Sequence, residues 1–139
     1  MGLDITVLIK GAGEMASGVA HALCQARLRV VLTETPQPLA VRRAVSFSEA
    51  VHLGRMEVEG VTAVLVSGPE GLEAAWAAGR IPLLVDPGLS CLALLKPQVL
   101  VEATLNKQGL DLALELAPLV IALGPGYQAG RHAHVVVET

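Results

Sequence analysis

Apolar residues in this chain come in short blocks: DITVLIK, RVVLTE, IPLLVDP, PQVLVEA, APLVIALGPG and HVVVET. Continuous apolar runs of this length mark strands buried on both faces, as in a parallel sheet covered by helices. The first block, residues 4–10, predicts a strand. Residues 14–27 predict a helix, because Met15, Val19 and Leu23 recur every four positions beside Ala16 and Ala20, while Ser17, His21 and Gln25 fall on a more polar face. Gly18 sits inside that helix at a cost of about 1 kcal/mol relative to Ala. Close approach of a neighbour or ligand accounts for it, and so does simple tolerance.

Residues 29–34 predict a second strand, Pro36 and Pro38 a loop, and the stretch after them a helix ending near Gly54. Residues 55–66 read as strands with a short hairpin around Glu59-Gly60. Residues 68–79 predict a helix bounded by glycine, 81–87 a strand, 89–96 a short helix and 97–103 a strand. Residues 106–117 are ambiguous, since LDLALEL alternates with period two yet consists of good helix formers. Residues 117–126 predict a strand entering a glycine-rich turn, and HVVVET a last strand.

Alternating strand and helix imply right-handed βαβ units. The expected fold is α/β: a single Rossmann-like, doubly wound, mostly parallel sheet with helices on both faces, spanning residues 1–139 as one domain. In the common strand order 3-2-1-4-5-6 the IPLLVDP strand lies beside the first. No covering helix follows HVVVET, which points to a further segment, a partner chain or a naturally short form.

Composition narrows the picture. Hydrophobic residues make up 53% and aromatics only 2%, so the core is built of Leu, Val, Ile and Ala. The net charge of −3 and the lack of Lys/Arg clusters exclude the electrostatic footprint of a nucleic-acid binder. No apolar run approaches the roughly 20 residues that span a bilayer, and MGLDITVLIK has no signal-peptide layout. Cys24 and Cys91 lack any C-x-x-C spacing, and His21, His52, His132 and His134 form no metal pattern with them. These features predict a cytoplasmic protein with reduced thiols and no membrane or nucleic-acid partner. High apolar content and the missing last helix point to a homodimer.

The strongest chemical signal is VLIKGAGEMASG, a strand running into a glycine-rich turn that opens a helix. Gly11 permits the tight turn, Gly13 lets the backbone approach a pyrophosphate, and Ala16 takes the small third position of G-x-G-x-x-G/A. Backbone N–H groups of the turn (Gly11, Ala12, Gly13, Glu14, Met15) and the positive helix end then face the anion. Glu34 ends the second strand, where the fingerprint expects an acid about 20 residues on to hold a ribose diol and repel a 2′-phosphate. A solvated acid at a strand end is the plain alternative. Glu14 stabilises the helix start but opposes a bound pyrophosphate.

Asp86, before Pro87, is a ligand candidate at a strand's carboxyl end, or simply initiates a turn. Gly124, Pro125 and Gly126 begin a second glycine-rich loop, GPGYQAG, expected at the same sheet edge as GAGEM; a tight turn into the last strand explains it equally. Arg131 lies just beyond. Arg42 and Arg43 follow the second strand, and on a helix only one of them faces a given site. Glu102 and Lys107 are available acid/base groups with no supporting geometry. No Ser-His-Asp set, paired-carboxylate signature or GxSxG elbow is present.

VLIKGAGEMASGVAHAL, VVLTETPQPLAVRRAVSFSEAV, IPLLVDP, APLVIALGPGYQAG and HVVVET together resemble the YqeB-type accessory proteins of the selenium-dependent molybdenum hydroxylase system. That family is similar to the Rossmann part of XdhC-type maturation factors. The resemblance implies a role in maturing, inserting or protecting the molybdenum cofactor of a hydroxylase partner, and a nucleotide-like ligand: NAD or a molybdopterin (di)nucleotide. It singles out Gly11, Gly13, Glu34, Arg42, Arg43, Gly124 and Gly126. Where the family has a basic AKRN-like patch this chain reads TLNKQGLDL and keeps only Lys107, and the family continues past the terminal ET. Two other functions suit the same fold: an NAD(H)-binding regulatory module and a small NAD-dependent oxidoreductase.

Overall fold

A computed structural model describes residues 4–38, 40, 42–104, 112–124 and 126–138. Its strands are β1 (Thr6–Lys10), β2 (Arg29–Glu34), β3 (Arg55–Val58), β4 (Val61–Leu65), β5 (Ile81–Val85), β6 (Val99–Glu102), β7 (Leu119–Leu123) and β8 (Val135–Val137). Its helices are α1 (Glu14–Gln25), α2 (Ala50–Leu53), α3 (Pro69–Ala77) and α4 (Leu92–Leu95). One eight-stranded sheet has the order β3-β4-β5-β2-β1-β6-β7-β8. All its pairings are parallel except β3 with β4. The doubly wound α/β architecture follows from the blocks of apolar residues.

Each central strand serves two cores because its side chains alternate. Val7 and Ile9 pack with Ala16 and Ala20 of α1, and with Phe47 and Ala50, on one face. Leu8 and Val31 pack with Leu72 of α3, Cys91, and Leu92 and Leu95 of α4 on the other. Small alanines let α1 lie close on the sheet. Full burial of each Leu, Ile or Val contributes about 1.5–3 kcal/mol, so both faces are needed to hold the strands. Glu59 and Gly60 both have positive φ, 46° and 83°, which gives the type I′ turn that joins β3 to β4.

Two expectations are corrected. The IPLLVDP strand, β5, lies beside β2 and not beside β1. The β3–β4 hairpin follows β2, and α3 carries the chain from β4 back to β2's free side. That leaves β6 to flank β1. Nor does one helix follow Pro38. Residues 43–45 and 47–49 form separate 3₁₀ turns, and only Ala50–Leu53 is α-helical before Gly54 ends it with φ +83°. Ser46 interrupts the run: it is extended, φ −119° and ψ 120°, and its hydroxyl donates to Arg42 O at 2.8 Å. Serine side chains that bond backbone locally compete with helix in this way. Of the ambiguous segment, 114–116 form a 3₁₀ turn, and Lys107 lies outside the described residues.

Candidate functional site

The sheet order places the topological switch between β1 and β6, since the chain leaves β1 for β2 on one side and leaves β6 for β7 on the other. Ligands of open α/β sheets bind outside the carboxyl ends of the strands at such a point. Gly11–Glu14 lies there.

Gly11 and Gly13 are glycine for different reasons. Gly11 has φ +106°, and a Cβ on it would stand 3.2 Å from the Ala103 carbonyl and the Thr104 amide at the end of β6. Its N–H donates to Thr33 O at 2.8 Å, so the turn is clamped on both sides. Gly13 has φ −70° and ψ −169°, open to any residue, and no heavy atom lies within 4 Å of a Cβ placed there. Neither backbone nor packing demands a glycine at 13; its absent side chain leaves the mouth of the turn clear.

Behind Gly13 begins the 12-residue helix α1, with no side-chain cap. Its first internal bond runs from Ser17 N–H to Gly13 O at 2.8 Å. The preceding amides have no intrahelical acceptor and aim along the axis, with the positive end of the dipole. The loop is held from beneath. Ser17 Oγ donates to Ala12 O at 3.1 Å and accepts from Phe47 N–H at 2.8 Å, while Ser48 N–H donates to the same carbonyl at 2.9 Å. The segment after β2 thus props the glycine turn, and fully buried Phe47 anchors it.

Glu34 joins this site. Its Oε1 accepts the Ala12 N–H at 3.0 Å and its Oε2 the Thr35 N–H at 2.8 Å. Ala12's amide is therefore occupied by Glu34, and the free anion-facing amides begin at Gly13. A carboxylate offers about four lone-pair positions, so two remain on a group whose orientation is already fixed. Arg42 reaches the same lip: its Nη1 lies 3.7 Å from Glu14 Oε2, with both side chains well exposed. Such a pair adds little stability, but it places a cation beside the acid that otherwise opposes a phosphate. Arg43 is exposed, and Met15, 38% exposed, lies in the first turn of α1.

Asp86 is not at the switch point. Its N–H donates to Glu34 O at 3.1 Å, which puts it on the far side of β2. Its carboxylate accepts from Ser90 N–H at 2.9 Å and Cys91 N–H at 2.8 Å, the geometry of a turn-initiating Asp. Burial works to raise this carboxyl, but the hydrogen bonds from Cys91 and Ser90 outweigh it and hold the group below its ordinary range. Burial, then the hydrogen bond and charge of Asp86, push the Cys91 thiol up to about 12.

Gly124 and Gly126 lie at the same carboxyl edge as Gly11, because β7 is parallel to β6 and β6 to β1. Both have positive φ, 99° and 100°; Pro125 lies outside the described residues. The amides of this loop are largely consumed internally. Gly124 N–H donates to Val137 O, Gly130 N–H to Ala133 O, and Arg131 and His132 N–H to Gln128 O. Gln128 N–H donates to His132 Nδ1 at 2.9 Å, and Val120 N–H to His134 Nδ1 at 2.9 Å. His132 and His134 are backbone acceptors that shape the turn.

The switch point adds residues that no local pattern singled out together. Lys10 ends β1 and pairs with Glu102, which ends β6; Nζ and Oε2 are 3.6 Å apart. Glu102 is only 2% exposed, and its Oε1 accepts both the N–H (3.0 Å) and the hydroxyl (2.6 Å) of Thr104. The partnership depends on β6 lying next to β1, a long-range fact that spacing in the chain does not carry. Among the described residues no group of three or more His, Cys, Asp or Glu is placed to hold a metal ion, and no helix is long and apolar enough to cross a membrane.

Fold and edge together define a Rossmann-like α/β protein with a glycine turn, an uncapped helix and a positioned carboxylate at one lip. Over 133 residues the chain is 45% identical to the "Uncharacterized protein YqeB" of Escherichia coli (strain K12), a match covering 96% of this chain and 25% of that protein. The chain thus spans about a quarter of the length of the curated relative it matches. No family model matches the chain, and no solved structure matches it.

Proposed function

We propose that this chain binds a nucleotide-type ligand through Gly13 and the start of α1, as an accessory protein in the maturation of a molybdenum hydroxylase. The observation that carries the ligand reading is Gly13 itself. It is a glycine with ordinary φ and open surroundings, set before an uncapped helix and one residue from an amide already bound to Glu34. The anion's oxygens meet the amides of Gly13, Glu14 and Met15, Arg42 neutralises charge at the lip, and Glu34 accepts from a ribose diol. NAD and a molybdopterin (di)nucleotide both offer a phosphate and a sugar to these groups. The hydroxylase connection rests on the sequence blocks TETPQPLAVRRAVSF and APLVIALGPG, which resemble the accessory family.

The test is ligand-induced thermal stabilisation across NAD, NADH, NADP, ATP, GTP, CTP and a molybdopterin dinucleotide. A ligand at 100 times its Kd adds about 2.7 kcal/mol. Gly13→Asp is expected to abolish the shift, and Glu34→Arg to favour a 2′-phosphate over a plain ribose. A full shift in Gly13→Asp contradicts the site, and a molybdopterin dinucleotide that produces no shift while NAD does contradicts the maturation role.

A further inference from the structure

The two edges of the sheet are built differently. At one, β3 sets the charged side chains of Arg55 and Glu57 in water. Charges of this kind keep an edge strand from pairing with another chain. At the other, β8 is Val135-Val136-Val137, with neither charge nor proline. Val135 is 44% exposed and Val137 43%. Beside them on β7, Ile121 and Leu123 still pack into the core beneath α1, and the two valines extend that apolar face to the rim. Val137 O accepts the Gly124 N–H inside the sheet. Alternation along the strand therefore turns the N–H and carbonyl of Val136 to the open side.

We propose that β8 pairs with β8 of a second copy of this chain, antiparallel about a two-fold axis at Val136, so that one sheet runs through both molecules. The strand's own sequence selects that occupant. Val136 meets Val136 and exchanges both backbone bonds with it. Val135 lies opposite Val137 twice, which joins the two exposed apolar rims. His134 lies opposite Glu138 twice, and both are exposed. His134 Nδ1 accepts the Val120 N–H at 2.9 Å, so the ring proton sits on Nε2, a donor for a carboxylate. A slip of one residue would set Glu138 against Val135 and lose both matches. The contact uses the one valine edge of each copy and leaves the charged β3 edges outside, so association closes at two. A pairing of strands this short is a small interface, and the dimer is a reversible one.

Sedimentation equilibrium of the whole chain, followed up to millimolar concentration, is expected to show monomer and dimer in exchange. Val137→Lys and Glu138→Lys, both at exposed positions, are each expected to raise the dissociation constant about tenfold or more. Register is read by cysteine cross-linking. Residues that exchange both bonds stand about 5.5 Å apart at Cα, within reach of a disulfide. Mild oxidation of Val136→Cys is therefore expected to give a covalent dimer. Val135→Cys, which faces residue 137, is expected to give no more than the parent does through Cys24 and Cys91. A chain that stays monomeric at millimolar concentration overturns the proposal. So does a dimer untouched by Val137→Lys, or one that Val135→Cys cross-links as readily as Val136→Cys.

Discussion

Two glycine-rich turns leave the same edge of the sheet, and they differ in where their amides go. At Gly11–Glu14 the chain enters a 12-residue helix without a side-chain cap, and only the Gly11 and Ala12 amides are taken up, by Thr33 O and Glu34. At Gly124–Gly130 no helix follows; the amides of Gly124, Gly130, Arg131 and His132 turn inward to carbonyls, and that of Gln128 to His132 Nδ1. The first turn leaves the donors from Gly13 onward without an intrahelical acceptor, and the second spends most of its own on its shape. Glycine content alone therefore does not make an anion site. What counts is whether the following backbone leaves its N–H groups unmatched.

The largest expected effect comes from breaking the contrast within the first turn. Gly11→Ala is expected to lose about 2–3 kcal/mol of stability, because it combines positive φ with a 3.2 Å approach to the Ala103 carbonyl. Gly13→Ala is expected to stay within about 0.5 kcal/mol of the parent in denaturant unfolding. Equal losses at both positions contradict the separate roles assigned to them.

The second turn is sharpened by His134→Leu, which leaves the Val120 N–H without the acceptor it has at 2.9 Å. A part-buried donor left unmatched costs about 1–3 kcal/mol. Unfolding by urea should show that loss, while nucleotide-induced stabilisation remains intact. A loss of ligand response instead makes the second turn part of the site.

The smallest effect is a pH dependence at Asp86. Its folded pKa lies below the unfolded one, so its stabilising contribution is full above the unfolded pKa and fades as pH falls through the folded value. Asp86→Asn removes that slope. The parent and the variant should differ most near neutrality and converge in acid when unfolding is followed from pH 7 down to pH 2. A gap that widens in acid contradicts the assignment.

Much of the first turn was legible because its determinants are contiguous: a strand block, Gly11, Gly13, then the apolar stripe of α1. The Glu59-Gly60 turn was legible for the same reason. The choice of β5 as β1's neighbour failed, since strand order is set by packing between distant segments, and the hairpin β3–β4 reroutes the chain. The helix expected after Pro38 broke at Ser46, whose hydroxyl found Arg42 O. The fingerprint makes Glu34 a candidate ribose acid, but its bond to Ala12, 22 residues away, needs the register of β1 against β2. Arg42 was a candidate cation, and only the fold brings it to Glu14.

Residue-resolved amide NMR during titration with adenosine 5′-monophosphate compares both turns in one experiment. An anion site at the first turn gives saturable shifts at Gly13, Glu14 and Met15, with the amides of Gly126 to His134 unmoved. Shifts confined to Gly126–His134, or a first turn that does not respond at saturating ligand, contradict it.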